Sequence, residues 1–363
     1  MPSIHIMLKP VSGACNLRCD YCFYADEAAN RQTADCGCMD DATVETLIRK
    51  AFIFAEDGIT FSFQGGEPLL AGLAFYERFV RTVGMYNVRG IPVSYALQTN
   101  GTLLTDALCR FFVQHDFLVG VSLDGTAATH DLHRRDAAGQ PTHAAVLRGI
   151  RLLRRHGVEF NILCVLTNAA CEQIAAVWQA LAPYGHVQFI PCLDPLDAHG
   201  AHLLDADRYG EALVTVFDLY RDAFFTAAHV SERRMDNYLS ILLGYLPESC
   251  DMAGKCGTYF LCEADGSVYP CDFYALDAWR LGNIRETSFA RMLHSAASAR
   301  FCARGDELPA DCRACEYLFL CRGGCRRDRE PDYAVSRYCM AYKTLFERRL
   351  PAMRALAAKA IEM

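Results

Sequence analysis

Six short apolar stretches, separated mostly by amphipathic ones, constrain this chain more than any other feature. They are Ile4 to Pro10, Ile59 to Phe63, Val93 to Gln98, Phe117 to Ser122, Glu159 to Val165 and Val187 to Pro191, rich in the apolar and β-branched residues that suit strands. Between them Asp41 to Glu56, Leu73 to Val83, Thr105 to Gln114, Thr142 to His156 and Cys171 to Tyr184 place apolar residues three and four apart, the helical period. Strands alternating with helices over the first 195 residues predict an α/β fold, a parallel sheet covered by helices, and six such units make a partial (β/α)6 barrel of the TIM kind. In such barrels the loops leaving the carboxyl ends of the strands build the active site.

Those loops hold the chain's unusual residues. Cys15-x-x-x-Cys19-x-x-Cys22 follows the first strand, Gln64-Gly65-Gly66-Glu67-Pro68 the second, Gln98-Thr99-Asn100-Gly101 the third, and Ser122 with Asp124-Gly125 the fourth. Beyond the barrel, Ala201 to Glu248 reads as helical, and cysteines then crowd between Cys250 and Cys339. The expected organisation is a barrel over residues 1–200, a helical bridge over 201–248 and a cysteine-rich domain over 249–363. That last domain has a tight turn at Asp265-Gly266-Ser267 and closes with a helix from about Ala341 to Ala358 that contains Pro351.

The 19 cysteines need a reason, because 363 residues with 52% hydrophobic content bury a sizeable core without covalent staples. Metal binding is the leading one. Met1 to Pro10 lacks the charged start and long apolar run of a secretory signal, so the expected compartment is the reducing cytoplasm. No apolar run approaches the roughly 20 residues that span a bilayer, and a net charge of -7 argues against nucleic acid held by bulk charge. Neither a membrane nor a nucleic-acid partner is expected.

The loop CNLRCDYCFY supplies three thiolates where a four-iron cluster normally takes four. Either the site is incomplete or its fourth position is meant for a small-molecule ligand; the competing reading is a zinc site completed by a histidine. The later set, Cys250, Cys256 and Cys271, then Cys312-x-x-Cys315-x5-Cys321-x-x-x-Cys325, then Cys339, totals eight, enough for two further four-iron clusters or for zinc ribbons. Cys36, Cys38, Cys109, Cys164, Cys171, Cys192, Cys262 and Cys302 remain, mostly in apolar patterns that suit small core residues. Cys262, lying between Cys256 and Cys271, competes with Cys256 as a ligand.

The triad resembles the signature of the radical S-adenosylmethionine superfamily, including the aromatic Tyr21 before its last cysteine, and Gly65-Gly66-Glu67 matches the loop that binds the amino group of the methionine moiety there. The later cysteines resemble the SPASM extension. That resemblance implies one auxiliary cluster on Cys250, Cys256, Cys271 and Cys325, and another on Cys312, Cys315, Cys321 and Cys339. Together with the triad it implies three 4Fe-4S clusters and S-adenosylmethionine as cofactors, with release of a 5'-deoxyadenosyl radical as the initiating step.

Across nearly the whole chain, KPVSGACNLRCDYCFY, FSFQGGEPLLAG, LQTNGTLL, FLVGVSLDG, EFNILCVLTN, CLDPL and SVYPCDFYALDAWRLGNI resemble the anaerobic sulfatase-maturating enzymes. The resemblance implies oxidation of a Cys or Ser side chain of a sulfatase to Cα-formylglycine. It places Asp272 as the base and an auxiliary cluster as electron acceptor, with Tyr24, Gln64 and Gln98 facing the substrate. Tyr21, Ser122, Arg134 (beside Arg135) and Leu193 contact S-adenosylmethionine, and Gln64 is assigned to that side as well. The implied partners are a sulfatase or its peptide and a flavodoxin- or ferredoxin-type electron donor. Two other readings compete: a SPASM peptide maturase forming thioether or carbon-carbon crosslinks, and a non-catalytic electron-transfer or zinc-scaffold protein. The first commonly carries a precursor-binding domain ahead of the barrel; the second leaves the open triad and the Gly-Gly-Glu loop without a purpose.

Overall fold

In the computed structural model, which describes residues 3–196, 203–227, 229–330 and 335–361, all six predicted stretches are strands. They are β1 (Ile4–Leu8), β2 (Ile59–Phe63), β3 (Val93–Thr99), β4 (Phe117–Ser122), β5 (Phe160–Leu166) and β6 (His186–Pro191). Four short strands follow: β7 (Ser231–Glu232), β8 (Phe260–Cys262), β9 (Ser267–Tyr269) and β10 (Gly282–Asn283). The chain packs as two compact units, one of Met1–Ser122, His133–Phe160 and Gly257–Cys302, the other of Leu123–Leu132, Asn161–Cys256 and Ala303–Met363. The expected boundary at 200/201 lies outside the described residues.

In the first unit the strand order is β10-β9-β8-β1-β2-β3-β4. β1, β2, β3 and β4 pair in parallel, with Ile4 opposite Ile59, Ile59 opposite Val93 and Tyr95 opposite Phe117. Alternation sorts the two faces: Ile4, Ile6, Leu8, Ile59, Phe61 and Phe63 are buried, while His5, Met7, Thr60 and Ser62 are half-buried on the opposite face. On the buried face Phe61 and Phe63 pack edge-on against Phe75, Tyr76 and Phe79 of the helix Leu73–Tyr86, and the helix Asp41–Phe54 buries Val44, Leu47, Ile48, Ala51 and Phe52 as its apolar stripe. Asp40 starts that helix by accepting the N–H of Thr43 at 2.8 Å. Gly157, at φ 70°, ends the helix His143–His156, whose last turn carries Arg154, Arg155 and His156 against the carbonyl end of the dipole.

The cysteine-rich segment does not keep to itself as the linear reading had it. β8 pairs in parallel with β1, Ile6 opposite Phe260, so residues 257–302 extend the strand layer that holds the first loop. The hairpin is present, with β9 antiparallel to β8 and Gly266 at φ 84° in its turn.

The second unit holds β5, β6 and β7 in parallel order. The expected single helix from Cys171 to Tyr184 is broken at Gln173 into Asn168–Glu172 and Ile174–Leu181. The bridge contains helices Ala206–Ala223 and Arg233–Leu242 with β7 before the second, and the closing helix runs from Cys339 to Ile361 through Pro351. This last helix packs along Ala206–Ala223, where Gly210 lets the two backbones approach: an added Cβ would stand 3.1 Å from Ala341 Cα.

Candidate functional site

The first three loops interlock through their backbones. Gly66 N–H donates to Ser12 O at 3.1 Å and Glu67 N–H to Ala14 O at 2.8 Å, which lays the Gly-Gly-Glu loop on the segment leading to Cys15. No side chain fits between them: a Cβ on Gly66 would lie 2.0 Å from Ala14 O. Gly65 adds a φ of 116°, which side chains rarely adopt. Glu67 then fastens the third loop. Its fully buried carboxylate accepts the Leu69 N–H at 3.0 Å and the Thr99 hydroxyl at 2.8 Å on one oxygen, and the Asn100 N–H at 2.8 Å on the other. Burial pushes its pKa up to about 7 against those three donors. A carboxylate so engaged clamps the second loop to the third.

Cys15, Cys19 and Cys22 occupy one partly exposed loop that runs straight into helix α1 (Phe23–Ala29), with Cys22 at its N-cap. The Cys15 sulfur receives the Leu17 N–H at 3.3 Å and faces the Asn100 amide at 3.9 Å. A second clasp comes from the 133–141 hairpin: Arg18 N–H donates to Arg135 O at 2.7 Å, and His133 Nδ1 lies 2.9 Å from Asp20 Oδ2. Tyr21 sits between His133, at 5.5 Å between ring centroids, and the Arg134 guanidinium, at 5.4 Å. Arg134 is buried while Arg135 is spent on its own hairpin at Gly139 O, so of these neighbours Arg134 is the one turned toward the triad loop.

Asp272 follows β9 and Cys271 at the start of the 3-10 turn Asp272–Tyr274. Gln64 Nε2 donates to its Oδ2 at 3.1 Å, and the Cys271 thiol lies 3.6 Å from Oδ1. Gln64 also touches the Met7 sulfur. Burial raises the Asp272 pKa, while Cys271, a backbone N–H, Gln64 and the charge of Lys9 pull it down. α1 packs on this turn through Phe23 and Phe273, 5.0 Å apart and edge-on, which brings Tyr24 beside Asp272. Gln98 donates to Ser122 Oγ at 3.1 Å. Thus Tyr24, Gln64 and Asp272 form one group and Gln98 with Ser122 another, both on the first unit.

Leu193, after β6, and Cys250, Cys256, Cys312, Cys315, Cys321, Cys325 and Cys339 belong to the second unit. Cys312, Cys315, Cys321 and Cys339 line a single cavity with Tyr317, Tyr342 and Phe346. Burial raises the pKa of Cys312, Cys321 and Cys339, and the neighbouring sulfurs raise each further. Four thiolates in such a place need a cationic centre to hold them, so the donor set fits an iron-sulfur group. Among the described residues no three His, Cys, Asp or Glu side chains converge on one point suited to a single metal ion. Cys325 feels Cys250 and receives the Arg327 N–H at 3.4 Å. Cys262 is fully buried in β8, its thiol turned back on the Glu263 carbonyl at 3.6 Å, a core position that favours Cys256 as the ligand.

Two family models match: the radical SAM superfamily over residues 10–173 and the SPASM iron-sulfur cluster-binding domain over residues 252–316. A cysteine-type anaerobic sulfatase-maturating enzyme of Clostridium novyi (strain NT) is 40% identical, over 98% of this chain and 98% of its own. The chain belongs to the anaerobic sulfatase-maturating enzymes. A serine-type member from Klebsiella aerogenes is 35% identical over 88% of this chain and 79% of its own. The solved structure of native anSMEcpe with bound AdoMet and Cp18Cys peptide superposes with a TM-score of 0.93 at 36% identity, covering 99% of this chain and 100% of that one. The maturase is therefore a radical S-adenosylmethionine enzyme with a barrel-like α/β core and a SPASM iron-sulfur domain. No described helix is long and apolar enough to cross a membrane.

Sequence reasoning missed Lys9, Glu27, Arg31 and Glu263, which lie buried around the Tyr24 and Asp272 group. The one available signal was the Lys-Pro that ends the first apolar stretch. Glu27 Oε1 accepts the Ala275 N–H at 3.0 Å, joining α1 to the Asp272 turn. Burial lifts its pKa from 4.5 to about 8, with Lys9 and the Ala275 N–H opposing. Such a group contributes stability that is fully present below its unfolded pKa near 4.5 and lost as pH rises through about 8. We expect Glu27→Gln, which keeps an acceptor for Ala275, to cost under about 1 kcal/mol at pH 6 and to flatten the fall in the thermal midpoint of cluster-free protein between pH 5 and 8. An equally steep fall in both proteins would show that Glu27 does not titrate in that range.

Proposed function

We propose that the maturase oxidises a cysteine side chain of a sulfatase, or a serine in its place, to Cα-formylglycine, with Asp272 as the proton acceptor. The observation that carries this reading is Asp272 held by Gln64 beside Tyr24 at the carboxyl end of β2, a buried carboxylate next to amide and hydroxyl groups suited to a peptide. Higher identity to the cysteine-type relative than to the serine-type one favours cysteine as the target.

In this scheme Cys15, Cys19 and Cys22 hold the cluster that takes S-adenosylmethionine, and Tyr21, Gln64, Gly65, Gly66, Glu67, Ser122, Arg134 and Leu193 form its surroundings. Cys250, Cys256, Cys271 and Cys325 hold one auxiliary cluster, and Cys312, Cys315, Cys321 and Cys339 the other. When bound, these groups supply a hydrogen-atom acceptor at the triad and an electron acceptor at the SPASM cysteines. The chain's own residues do the rest. Loss of a hydrogen atom from the substrate Cβ leaves a carbon radical; loss of the S–H proton and one electron converts it to a thioaldehyde, and water releases the aldehyde with sulfide. Asp272 takes the S–H proton. Tyr24, Gln64 and Gln98 fix the peptide so that Cβ and sulfur face opposite partners. The enzyme works in the cytoplasm with a flavodoxin- or ferredoxin-type donor, and binds neither nucleic acid nor membrane.

The test is to reconstitute the protein without oxygen and incubate it with dithionite, S-adenosylmethionine and a peptide holding a Cys-x-Pro-x-Arg core. Mass spectrometry should show conversion of Cys to formylglycine with 5'-deoxyadenosine formed in step. 5'-Deoxyadenosine with an unchanged peptide, for both the Cys and the Ser versions, would overturn the sulfatase reading and favour crosslinking chemistry.

A further inference from the structure

Lys9 is a fully buried cation with no place in the scheme above. It stands where β1 ends, its N–H held by Cys262 O at 2.9 Å. A buried ammonium is tolerated only when paired, and its Nζ lies 2.7 Å from Glu263 Oε1. The same oxygen also meets Arg31 Nη1 at 2.5 Å. Two cations share that one carboxylate, and the Lys9 charge also bears on the buried carboxyls of Glu27 and Asp272. That charge is aimed: Nζ lies 5.0 Å from the centroid of the Tyr24 ring. The stem of Lys9 is aimed as well. A Cβ on Gly65 would lie 2.9 Å from Lys9 Cγ, so the aliphatic chain is packed directly under the residue after Gln64. Lys9 thereby touches α1 through Tyr24, the loop after β2 through Gly65, and the β8–β9 turn through Glu263.

We propose that Lys9 is a positioning residue for the substrate peptide: its ammonium, pinned by Glu263, holds the Tyr24 ring, while its stem fixes the backbone beside Gln64. The proposal rests on the assignment of Tyr24 and Gln64 to the peptide side. Lys9 reaches the peptide through those two residues, and its charge also bears on the Asp272 carboxyl. Its removal therefore loosens the peptide and lets the abstraction step run without product.

The test compares reconstituted wild type, Lys9→Met, which keeps the stem without the charge, and Lys9→Arg, which keeps a charge. Peptide affinity is read by fluorescence anisotropy of the labelled Cys-x-Pro-x-Arg peptide, and coupling as 5'-deoxyadenosine formed per aldehyde. Lys9→Met should weaken peptide binding by about tenfold and raise the 5'-deoxyadenosine to aldehyde ratio at least about fivefold, with iron content as in wild type. Lys9→Arg should recover most of both. If Lys9→Met loses iron because Glu263 is left with one partner, the double variant Lys9→Met/Glu263→Gln removes both charges and should show the same loss of affinity and coupling. Wild-type affinity and coupling in an iron-replete variant would overturn the positioning role alone. Wild-type protein that neither binds nor converts the peptide would overturn the proposed function, and this role with it.

Discussion

Asp272→Asn is expected to lower formylglycine formation by at least about 100-fold, the usual scale for losing a positioned base, while 5'-deoxyadenosine is still produced. Asparagine is nearly isosteric and keeps an oxygen for the Gln64 amide, which now reaches Asp272 at 3.1 Å, so the turn Asp272–Tyr274 and its contact with α1 should survive. What disappears is the capacity to accept a proton. Burial raises the carboxyl above its ordinary pKa, which strengthens it as a base once ionised. The wild-type rate should accordingly fall as pH drops through that raised value, and the residual rate of Asp272→Asn should lack this limb. Mass spectrometry of the peptide and chromatography of 5'-deoxyadenosine from the same reaction give both quantities. Formylglycine within about threefold of wild type would remove Asp272 from the role.

The second large effect is expected at Gly66. Its missing Cβ would stand 2.0 Å from Ala14 O and 2.7 Å from Gly13 C, backbone atoms that no rotamer change can move aside. Gly66→Ala must therefore part the two loops and break the Gly66-to-Ser12 and Glu67-to-Ala14 hydrogen bonds that hold them. We expect cleavage of S-adenosylmethionine to fall at least about 100-fold even without peptide, since displacement by 1 Å at a reacting centre costs that much. Iron bound by the SPASM cysteines, about eight of twelve atoms in three four-iron clusters, should remain. Gly84 supplies the control: it lies in the helix Leu73–Tyr86 with no atom within 4 Å of an added Cβ. Gly84→Ala should leave cleavage unchanged and stabilise by up to about 1 kcal/mol. Normal cleavage by Gly66→Ala would mean that the loop contact is dispensable.

What the sequence could reveal followed from local pattern. β2 and β4 were predicted to the residue because ITFSF alternates apolar and polar residues and FLVGVS is almost continuously apolar, each closed by a glycine-containing loop, and the cysteine groups were visible because spacing alone marks them. Interactions between distant segments were not visible. β8 is three residues long, too short to carry a strand signal, and its partner β1 lies 254 residues earlier. Lys9 and Glu263 are separated by the same distance in sequence, so neither announced the other. Glu67 was recognised as part of a loop motif, but the use of its side chain to grip Thr99 and Asn100 depends on β3 lying beside β2. The break at Gln173 went unseen because apolar residues keep helical spacing across it.

The pairing of β1 with β8 also sets a schedule for making the protein. β1 leaves the ribosome well before β8, so one of its edges finds its partner only when Phe260–Cys262 has been synthesised. At about 5–20 residues per second, that wait lasts roughly 10–50 seconds. During it the nascent chain presents an unpaired apolar strand, the kind of edge that recruits chaperones or neighbouring chains. The loop carrying Cys15, Cys19 and Cys22 directly follows that strand, so a stalled or truncated chain would display three thiols beside a sticky edge. Loading of iron into this loop is then best completed after Phe260–Cys262 has been translated, and slowing elongation ahead of residue 260 should lower the yield of iron-replete enzyme.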